Sequence, residues 1–318
     1  MVTKFLTFTF LIYGTLLLAA AARARGLVRE EVSARLMRFA ILFLESSVAV
    51  LSFWVLDLSQ PRLVVLTPLV AALVSLACFG LGRGLSRLHE HQPKSAGSYV
   101  ACSMFSNVGL TLGGFLCFML LGEQGLSVAL LYSAYFIPFF FSVGFGVARS
   151  YNSAHKASLL DAVKDFCTNP LSLSPNLGLV AGIILDVAGV PRPQFLGTVN
   201  QILVYTAVGV YSAAIGLTMR FGRVRAFLPE CLSMAALKFL ATPLIGLLIG
   251  WLLGCGNILD GLLLKVVFVE ACMPVAIFAL VLTKLFDLDQ DLANSCWLVT
   301  TFGVVLMLPG MAWVVRMM

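Results

Sequence analysis

Residues 97–121 read GSYVACSMFSNVGLTLGGFLCFMLL, and residues 261–285 read GLLLKVVFVEACMPVAIFALVLTKL. Each apolar run is long enough to cross the hydrocarbon core of a bilayer as a helix. Each is also interrupted, the first by SNVG at 106–109 with Gly113-Gly114, the second by EACMP at 270–274. Adjacent glycines loosen a helix, and proline removes a backbone donor and clashes with the preceding turn. The sequence therefore predicts two membrane spans whose helices are broken inside the bilayer.

The whole chain has the composition of a membrane protein. Of its 318 residues, 60% are hydrophobic and 11% are charged, and the mean hydropathy is +0.99. A soluble domain of this size needs more charge, and transmembrane β-strands would alternate over about ten residues. We predict an all-α membrane protein of about ten spans, with the two broken helices as spans 4 and 9. The predicted spans are 5–22, 36–57, 62–82, 97–121, 126–148, 170–189, 195–219, 229–253, 261–285 and 292–315.

The basic residues predict the orientation of these spans. Of 21 Lys and Arg residues, fifteen lie in the odd-numbered loops and four in the even-numbered loops or termini. Because basic loops stay in the cytoplasm, both termini are expected outside the cell (inner or plasma) membrane. The net charge of +6 therefore reflects topology, and no nucleic-acid partner is expected.

A polar segment at 149–168 divides the spans into five and five. Its apolar residues recur at helical spacing: Leu159, Leu160, Val163 and Phe166. This spacing predicts an amphipathic helix on the cytoplasmic membrane surface. The segment separates a first five-helix repeat, 1–148, from a second, 169–318. Since five is odd, similar halves enter the membrane with opposite orientation, which is the inverted-repeat plan of many secondary transporters.

Four charges are assigned to the predicted spans: Glu45, Lys238, Glu270, and Lys265, which is expected to extend to the outer interface near Asp260. Each costs about 2.5–3.5 kcal/mol to insert at the membrane centre, so each needs a partner or a function. Glu270 lies four residues before Pro274, and its carboxylate could take a proton or help to coordinate Na⁺. Lys238 either extends to the cytoplasmic face or pairs with Glu45. The predicted ion-coupling residues are Glu270, Ser106, Asn107 and Glu45, with Ser106, Asn107 and Glu270 as the candidate Na⁺ ligands.

The two breaks also predict a substrate site. Their second helical halves begin with N–H groups near the bilayer midplane, and two positive dipole ends favour a small organic anion. Asn107 can donate an amide hydrogen bond, and glycines permit close approach of the backbone. The predicted substrate-binding residues are Asn107, Gly109, Gly113, Gly114, Met273 and Pro274. Phe105, Phe115, Ile277 and Phe278 would surround an apolar part of the ligand. The alternative is a neutral or cationic ligand held by Glu270.

Other classes of function have less support in the sequence. The predicted spans contain no histidine and the chain has no H-E-x-x-H or G-x-S-x-G motif, which argues against a membrane enzyme. A membrane receptor or sensor remains an alternative, although no soluble signalling domain is recognisable. The segment His89-Glu90-His91 lies in a polar loop, where a solvated loop is favoured over a metal site. No cofactor is expected beyond a coupling ion, H⁺ or Na⁺.

Several short motifs, in order, carry a family resemblance. They are Asn107-x-Gly109, Gly122-Glu123-Gln124-Gly125-Leu126, Asn169-Pro170, Gly216-Leu217-Thr218-Met219, Lys238-x₄-Pro243-Leu244, and Met273-Pro274 followed by Leu288-Asp289 and Leu292-Ala293. With these motifs the chain resembles, nearly end to end, the auxin efflux carrier family. It departs from that family at Gly114, where a proline is usual, and at Leu44-Glu45, where Leu-Pro is common.

The resemblance implies an architecture and a mechanism. Spans 1, 2, 6 and 7 would form a scaffold that dimerises, and spans 3–5 and 8–10 a mobile core with elevator-like movement. The broken helices of spans 4 and 9 would cross at the substrate site. The related bile acid:sodium symporters share the ten-span inverted plan. Since Ser106-Asn107 and Glu270 are similar to parts of their sodium sites, a sodium-coupled carrier is the alternative.

Overall fold

The computed structural model describes residues 2–56, 60–152, 159–219 and 223–318. Its first helices are α1 Thr3–Ala24, α2 Val32–Phe53, α3 Pro61–Leu88, α4 Pro93–Met104 and α5 Gly113–Ser133. Then follow α6 at 136–151, α7 Leu159–Thr168, α8 Pro170–Val187, α9 Phe195–Thr218 and α10 Val224–Leu252. The last are α11 Leu262–Ala271, α12 Ile277–Leu285 and α13 Gln290–Met317. Within the described ranges, the β-structure is one isolated bridge between Ser106 and Val275.

The structure confirms the all-α membrane class, and it contains fewer helices that could each span a membrane than the ten spans predicted from the sequence. Among the described residues, seven helices are long and apolar enough to cross a membrane, with the run Gly113–Tyr151 counted as one. The count stays below ten for two reasons. The predicted spans 4 and 9 are each divided into shorter helices, and the predicted sixth span contains only a shorter apolar helix, Leu173–Val187.

The helices group into two compact units. Unit 1 comprises Met1–Pro61, Gly109–Leu130 and Asp165–Arg220, and unit 2 comprises Arg62–Val108, Leu131–Lys164 and Phe221–Met318. Unit 1 contains the helices of predicted spans 1, 2, 6 and 7, and unit 2 those of spans 3, 8, 9 and 10. Gly109–Leu130, from spans 4 and 5, belongs to unit 1. The resemblance had implied that spans 4 and 5 are part of the mobile core, together with spans 3 and 8–10. Both units thus draw helices from both predicted repeats.

The predicted amphipathic segment is partly described. Its second part forms α7, on which Leu160 is 78% exposed. Residues 153–158, which include Lys156 of the predicted cytoplasmic loop, lie outside the described ranges. The helical conformation after residue 158 agrees with the apolar spacing.

Unit 1 is held together by close helix packing at glycines. A Cβ added to Gly178 of α8 would lie 2.4 Å from the carbonyl oxygen of Ser46 in α2. A Cβ added to Gly216 of α9 would lie 2.2 Å from the carbonyl oxygen of Leu16 in α1. Small residues at such contacts let helix backbones approach, which provides packing contacts where no hydrophobic driving force exists between membrane helices.

Two of the long helices contain a wider π-helical turn at an intramembrane charge. Ala40–Glu45 is such a turn in α2, and Leu237–Ala241, which includes Lys238, is another in α10. A π-turn shifts the hydrogen-bond ladder by one residue, and such turns are frequent at functional sites. The irregular backbone therefore coincides with two of the four charges singled out in the sequence, Glu45 and Lys238.

Candidate functional site

The predicted break in span 4 is present and extends over residues 105–112. Helix α4 ends at Met104, and Phe105 has an extended backbone with φ −102° and ψ 118°. Gly109 has φ +88°, a left-handed conformation that favours glycine. A Cβ on Gly114 would lie 2.9 Å from the carbonyl oxygen of Gly109, to which Gly114 N–H donates at 2.6 Å. These glycines are therefore needed to form the turn that starts α5.

The predicted break in span 9 is also present. Helix α11 ends at Ala271, and α12 begins at Ile277 after an extended Ala276 with φ −73° and ψ 148°. Pro274 lies between them, where it cannot donate a backbone hydrogen bond and disfavours a helical residue before it. Met273 and Pro274 are both buried.

Within unit 2, the two broken segments pair with each other. Ser106 and Val275 form the antiparallel bridge. Asn107 N–H donates to the carbonyl of Pro274 at 2.8 Å, and Ala276 N–H donates to the carbonyl of Phe105 at 3.0 Å. Backbone groups freed inside a bilayer need such partners, because lipid supplies none. Each broken helix therefore satisfies the other at a crossing, which we define as residues 105–107 and 274–276.

A threonine from a third helix completes the hydrogen bonding of the crossing. The N–H of Val275 donates to Thr300 Oγ1 of α13 at 3.2 Å. The same hydroxyl donates to the carbonyl of Cys296 one turn earlier, at 2.7 Å. Thr300 could not be singled out from the sequence, since a lone threonine in an apolar helix gives no signal.

Lys238 is fully buried and binds to the end of α4. Its Nζ donates to the carbonyl of Ser103 at 2.7 Å, to that of Phe105 at 3.3 Å and to Ser106 Oγ at 2.9 Å. An ammonium group has three donors, and a cation at the C-terminal end of a helix also interacts favourably with the helix dipole. Lys238 therefore stabilises the first half of the broken span.

This arrangement differs from both expectations for Lys238. The side chain does not extend to the membrane interface, because it is 0% exposed. Its suggested partner Glu45 instead accepts a hydrogen bond from the hydroxyl of Tyr211 within unit 1. Each of the two charges thus has partners within its own unit. Tyr211 was also missed in the sequence.

Glu270 lies in the last turn of α11 and is 0% exposed. The carboxyl group is therefore adjacent to the second break and surrounded by protein. Burial of an ionisable group at this depth is costly unless it is paired, protonated or functional.

The residues predicted for substrate and ion binding are divided between the two units. Unit 2 contains Ser106, Asn107, Glu270, Met273 and Pro274. Unit 1 contains Glu45, Gly109, Gly113 and Gly114. Within unit 2, the crossing places Asn107 beside Pro274, a pairing of the two broken helices that the family resemblance implied. Asn107 is also more exposed than its neighbours Phe105 and Ser106.

The predicted aromatic surroundings are divided in the same way. Phe105 is fully buried beneath Phe136, Phe139 and Phe140, with ring centroids 5.4–6.0 Å away. Phe105 therefore anchors the crossing by packing against these three aromatic rings. Phe115 belongs to unit 1, where it stacks on Phe8 and contacts Tyr205.

Comparison with known proteins adds two findings. Residues 155–312 match the model of a family described as "Membrane transport protein". Over 303 residues the chain is 27% identical to an "Uncharacterized transporter" of Methanothermobacter thermautotrophicus, covering 92% of each chain. The first match contains the second break and Lys238, and the second also covers most of the N-terminal half.

Proposed function

Because the chain belongs to the auxin efflux carrier-like family of membrane transport proteins, we propose that it is a secondary carrier for a small organic anion. In this proposal, unit 2 carries the substrate through the bilayer in an elevator-like movement. Ten spans in a 5+5 inverted repeat are part of the proposal. They comprise the helices of the seven long apolar runs together with α8, the broken span 4 and the broken span 9.

The crossing in unit 2 is the observation on which the proposal rests. Two helices break opposite each other, and their extended segments are hydrogen-bonded together within an apolar helical body. Non-helical backbone at membrane depth is tolerated where protein buries it or where it lines a cavity, and transporters use such breaks as binding sites.

The charges at the crossing favour an anion. The positively charged ammonium group of Lys238 lies 2.9 Å from the hydroxyl oxygen of Ser106, the residue before Asn107. The start of α12 adds the positive end of a nine-residue helix at Ala276. Asn107 can donate its amide to a carboxylate. A carboxylic acid with an apolar portion suits this combination, and the family resemblance suggests the same class.

The same ammonium group argues against the sodium-coupled alternative. A Na⁺ ion at Ser106 would use oxygen ligands, and Ser106 Oγ already accepts a hydrogen bond from Lys238 Nζ at 2.9 Å. A second cation beside that ammonium group would be repelled. The residues at Ser106 therefore do not fit Na⁺. We propose a proton as the coupling ion, with Glu270 as the group that binds and releases it.

Flux into proteoliposomes tests the anion site, with indole-3-acetic acid and its carboxamide as paired probes. We expect the acid to be transported and the amide, which lacks the charge, to be transported at least about tenfold more slowly, a loss of about 1.4 kcal/mol. Asn107→Leu should impair uptake of the acid. Asn294→Leu, at a partly exposed position of α13, is the matched control. Equal transport of acid and amide would exclude an anion site.

The coupling proposal has its own measurement. Glu270→Gln should abolish the dependence of uptake on an imposed pH gradient while the protein stays folded, because glutamine cannot release a proton. A sodium gradient should have no effect on the wild type. Retained pH-gradient dependence in Glu270→Gln would reduce Glu270 to a structural role, and sodium-driven uptake would favour the bile-acid-symporter-like alternative. Binding of the acid without any flux would indicate a receptor or sensor.

Orientation and assembly complete the proposal. Both termini are proposed to lie outside the cell membrane, with His89 and Arg223 in the cytoplasm, and two copies are proposed to associate through unit 1. Membrane-impermeant labelling of a cysteine at position 223 in intact cells tests the orientation. Labelling from outside would contradict it. Molecular mass by light scattering in detergent tests the dimer.

A further inference from the structure

A second group of polar side chains in unit 2 lies away from the crossing. His89 and His91 follow the end of α3, and Glu230 lies in the first turn of the α-helical part of α10. One ligand atom from each of the three lies within 4.8 Å of the other two. The imidazole rings of His89 and His91 stack with centroids 5.3 Å apart. The fold therefore brings the imidazoles of His89 and His91 together with the carboxylate of Glu230, which lies 139 residues after His91.

Two atoms of this group have no hydrogen-bond partner among the described residues. They are His91 Nε2 and Glu230 Oε2, both buried. The side chain of His91 is only 7% exposed, and its Nε2 lies 3.8 Å from Glu230 Oε1, too far for a hydrogen bond. A buried nitrogen thus faces a carboxylate, whose side chain is 19% exposed, across a gap of 3.8 Å.

The gap has the dimensions of a metal bridge. Zinc binds imidazole nitrogen and carboxylate oxygen at about 2.0–2.2 Å. Two such ligands at a tetrahedral angle are separated by roughly 3.4 Å, close to the 3.8 Å between His91 Nε2 and Glu230 Oε1. Only a small movement of either side chain would admit an ion.

A further contact orients one of the imidazoles. Ser86 Oγ is hydrogen-bonded to the other ring nitrogen of His91, Nδ1, at 3.1 Å. Histidines that bind metals usually have such a partner on the second nitrogen, which fixes the orientation of the ring. His91 also lines a cavity of about 380 Å³ with Arg83 and Tyr151, which gives access to the group.

We propose that His89, His91 and Glu230 bind a divalent transition-metal ion such as Zn²⁺. Two imidazoles favour this class over Mg²⁺ or Ca²⁺, which prefer oxygen ligands. Three protein ligands leave a fourth position for water. The ion would connect the loop after α3 to the start of α10, at the end of unit 2 that the basic residues assign to the cytoplasm. The proposal departs from the sequence interpretation of His89-Glu90-His91, which favoured a solvated loop over a metal site.

Titration of the full-length detergent-solubilised protein with Co²⁺, after treatment with EDTA, tests the site. We expect one equivalent to bind with the visible absorption of a four-coordinate ion, and Zn²⁺ to displace it. His91→Ala and Glu230→Gln should each weaken binding at least about tenfold, and Ser86→Ala should weaken it by about 10–100-fold. His155→Ala, which removes the third histidine of the sequence, is the matched control and should change nothing.

Three outcomes would overturn the proposal. The folded wild type could fail to bind Co²⁺, which would leave His91 and Glu230 as a simple ion pair. Binding could survive unchanged in both His91→Ala and Glu230→Gln. Alternatively, a thiolate charge-transfer band could assign the ion to cysteine. Circular dichroism of each variant verifies folding, and none of these measurements depends on transport.

Discussion

Unit 1 and unit 2 hold charged side chains in different ways, at Glu123, which is 28% exposed, and at Lys238, which is fully buried. In unit 1, Glu123 follows a kink at Gly122 and is bound by two side chains, Arg192 at 2.8 Å and Asn200 at 2.6 Å. In unit 2, Lys238 is bound by two backbone carbonyls and the hydroxyl of Ser106. A pair of side chains can persist without a change in the backbone. The contacts of Lys238 exist only while α4 ends where it does, so its charge is coupled to the broken conformation.

The packing of the two units also differs, with direct helix contacts in unit 1 and hydrogen-bonded extended segments in unit 2. Unit 1 has long helices in backbone contact at Gly178, Gly182 and Gly216. Unit 2 has helices that stop and pair through extended segments at the crossing. Direct backbone contact leaves little room for adjustment, whereas a few hydrogen bonds can be exchanged with a ligand. The difference favours unit 1 as the fixed element and unit 2 as the binding element.

The largest effect is expected from Lys238→Met. It removes a buried cation and leaves three acceptors without their donor, so we expect a loss of about 3 kcal/mol or more in unfolding free energy and at least about a hundredfold loss of transport. Lys238→Arg should retain part of both. Lys265→Met, at a partly exposed lysine of α11, should change stability by less than about 0.5 kcal/mol.

Denaturation in mixed detergent micelles and proteoliposome flux would measure these effects. Equal losses for Lys238→Met and Lys265→Met would contradict the coupling between the Lys238 charge and the break. Full recovery by Lys238→Arg would show that charge alone, rather than the geometry of the ammonium group, is required.

The breaks could be predicted from sequence because their causes are local. Pro274 and the glycines at 109, 113 and 114 act on their own backbone. Glu270 and Lys238 could be singled out because any charge in an apolar span requires an explanation. The family resemblance also implied that the two broken helices cross.

The partners of these residues could not be predicted, since they depend on contacts between distant helices. Lys238 binds residues more than 130 positions away, and Tyr211 lies 166 positions from Glu45. The π-turns that hold Lys238 and Glu45 have no clear sequence pattern. The assignment of Gly109–Leu130 to unit 1 likewise depends on packing, because continuous hydropathy over spans 4 and 5 does not show where a chain leaves one unit.

An intermediate effect is expected from Gly216→Ala in unit 1. The new Cβ would lie 2.2 Å from the carbonyl oxygen of Leu16, so the backbones of α1 and α9 must separate, at a cost of about 1–3 kcal/mol. Gly209→Ala on the same helix meets only a side-chain carbon of Leu11 at 3.4 Å and should be nearly neutral. Hydrogen exchange should accelerate in α1 and α9 for the first variant alone. Similar exchange in both variants would show that unit 1 tolerates separation of these helices.

The smallest effect is expected from Thr300→Val, which removes one neutral hydrogen bond from the crossing. Valine has nearly the same shape, but Val275 N–H loses the acceptor that now lies 3.2 Å away. A buried N–H without a partner costs about 1 kcal/mol, which corresponds to about a fivefold faster amide exchange around residue 275. Ser295→Ala is the matched control on α13. Ser295 Oγ donates to the backbone carbonyl of Asp291 at 2.7 Å, just as Thr300 Oγ1 donates to that of Cys296. Ser295→Ala therefore deletes a hydrogen bond within α13 but none to the crossing.

The difference between these two variants isolates the bond to the crossing. Faster exchange at residues 275–277 in Thr300→Val, with no change in α1 and α9, would indicate that the crossing responds independently of unit 1. Equal exchange in both variants would mean that Thr300 contributes only its bond within α13. An increase spread over both units would show that the molecule opens as a whole. Unit 2 would then lack the local adaptability that sets it apart from unit 1, and an elevator mechanism would have to move unit 2 as a rigid body with a preformed site.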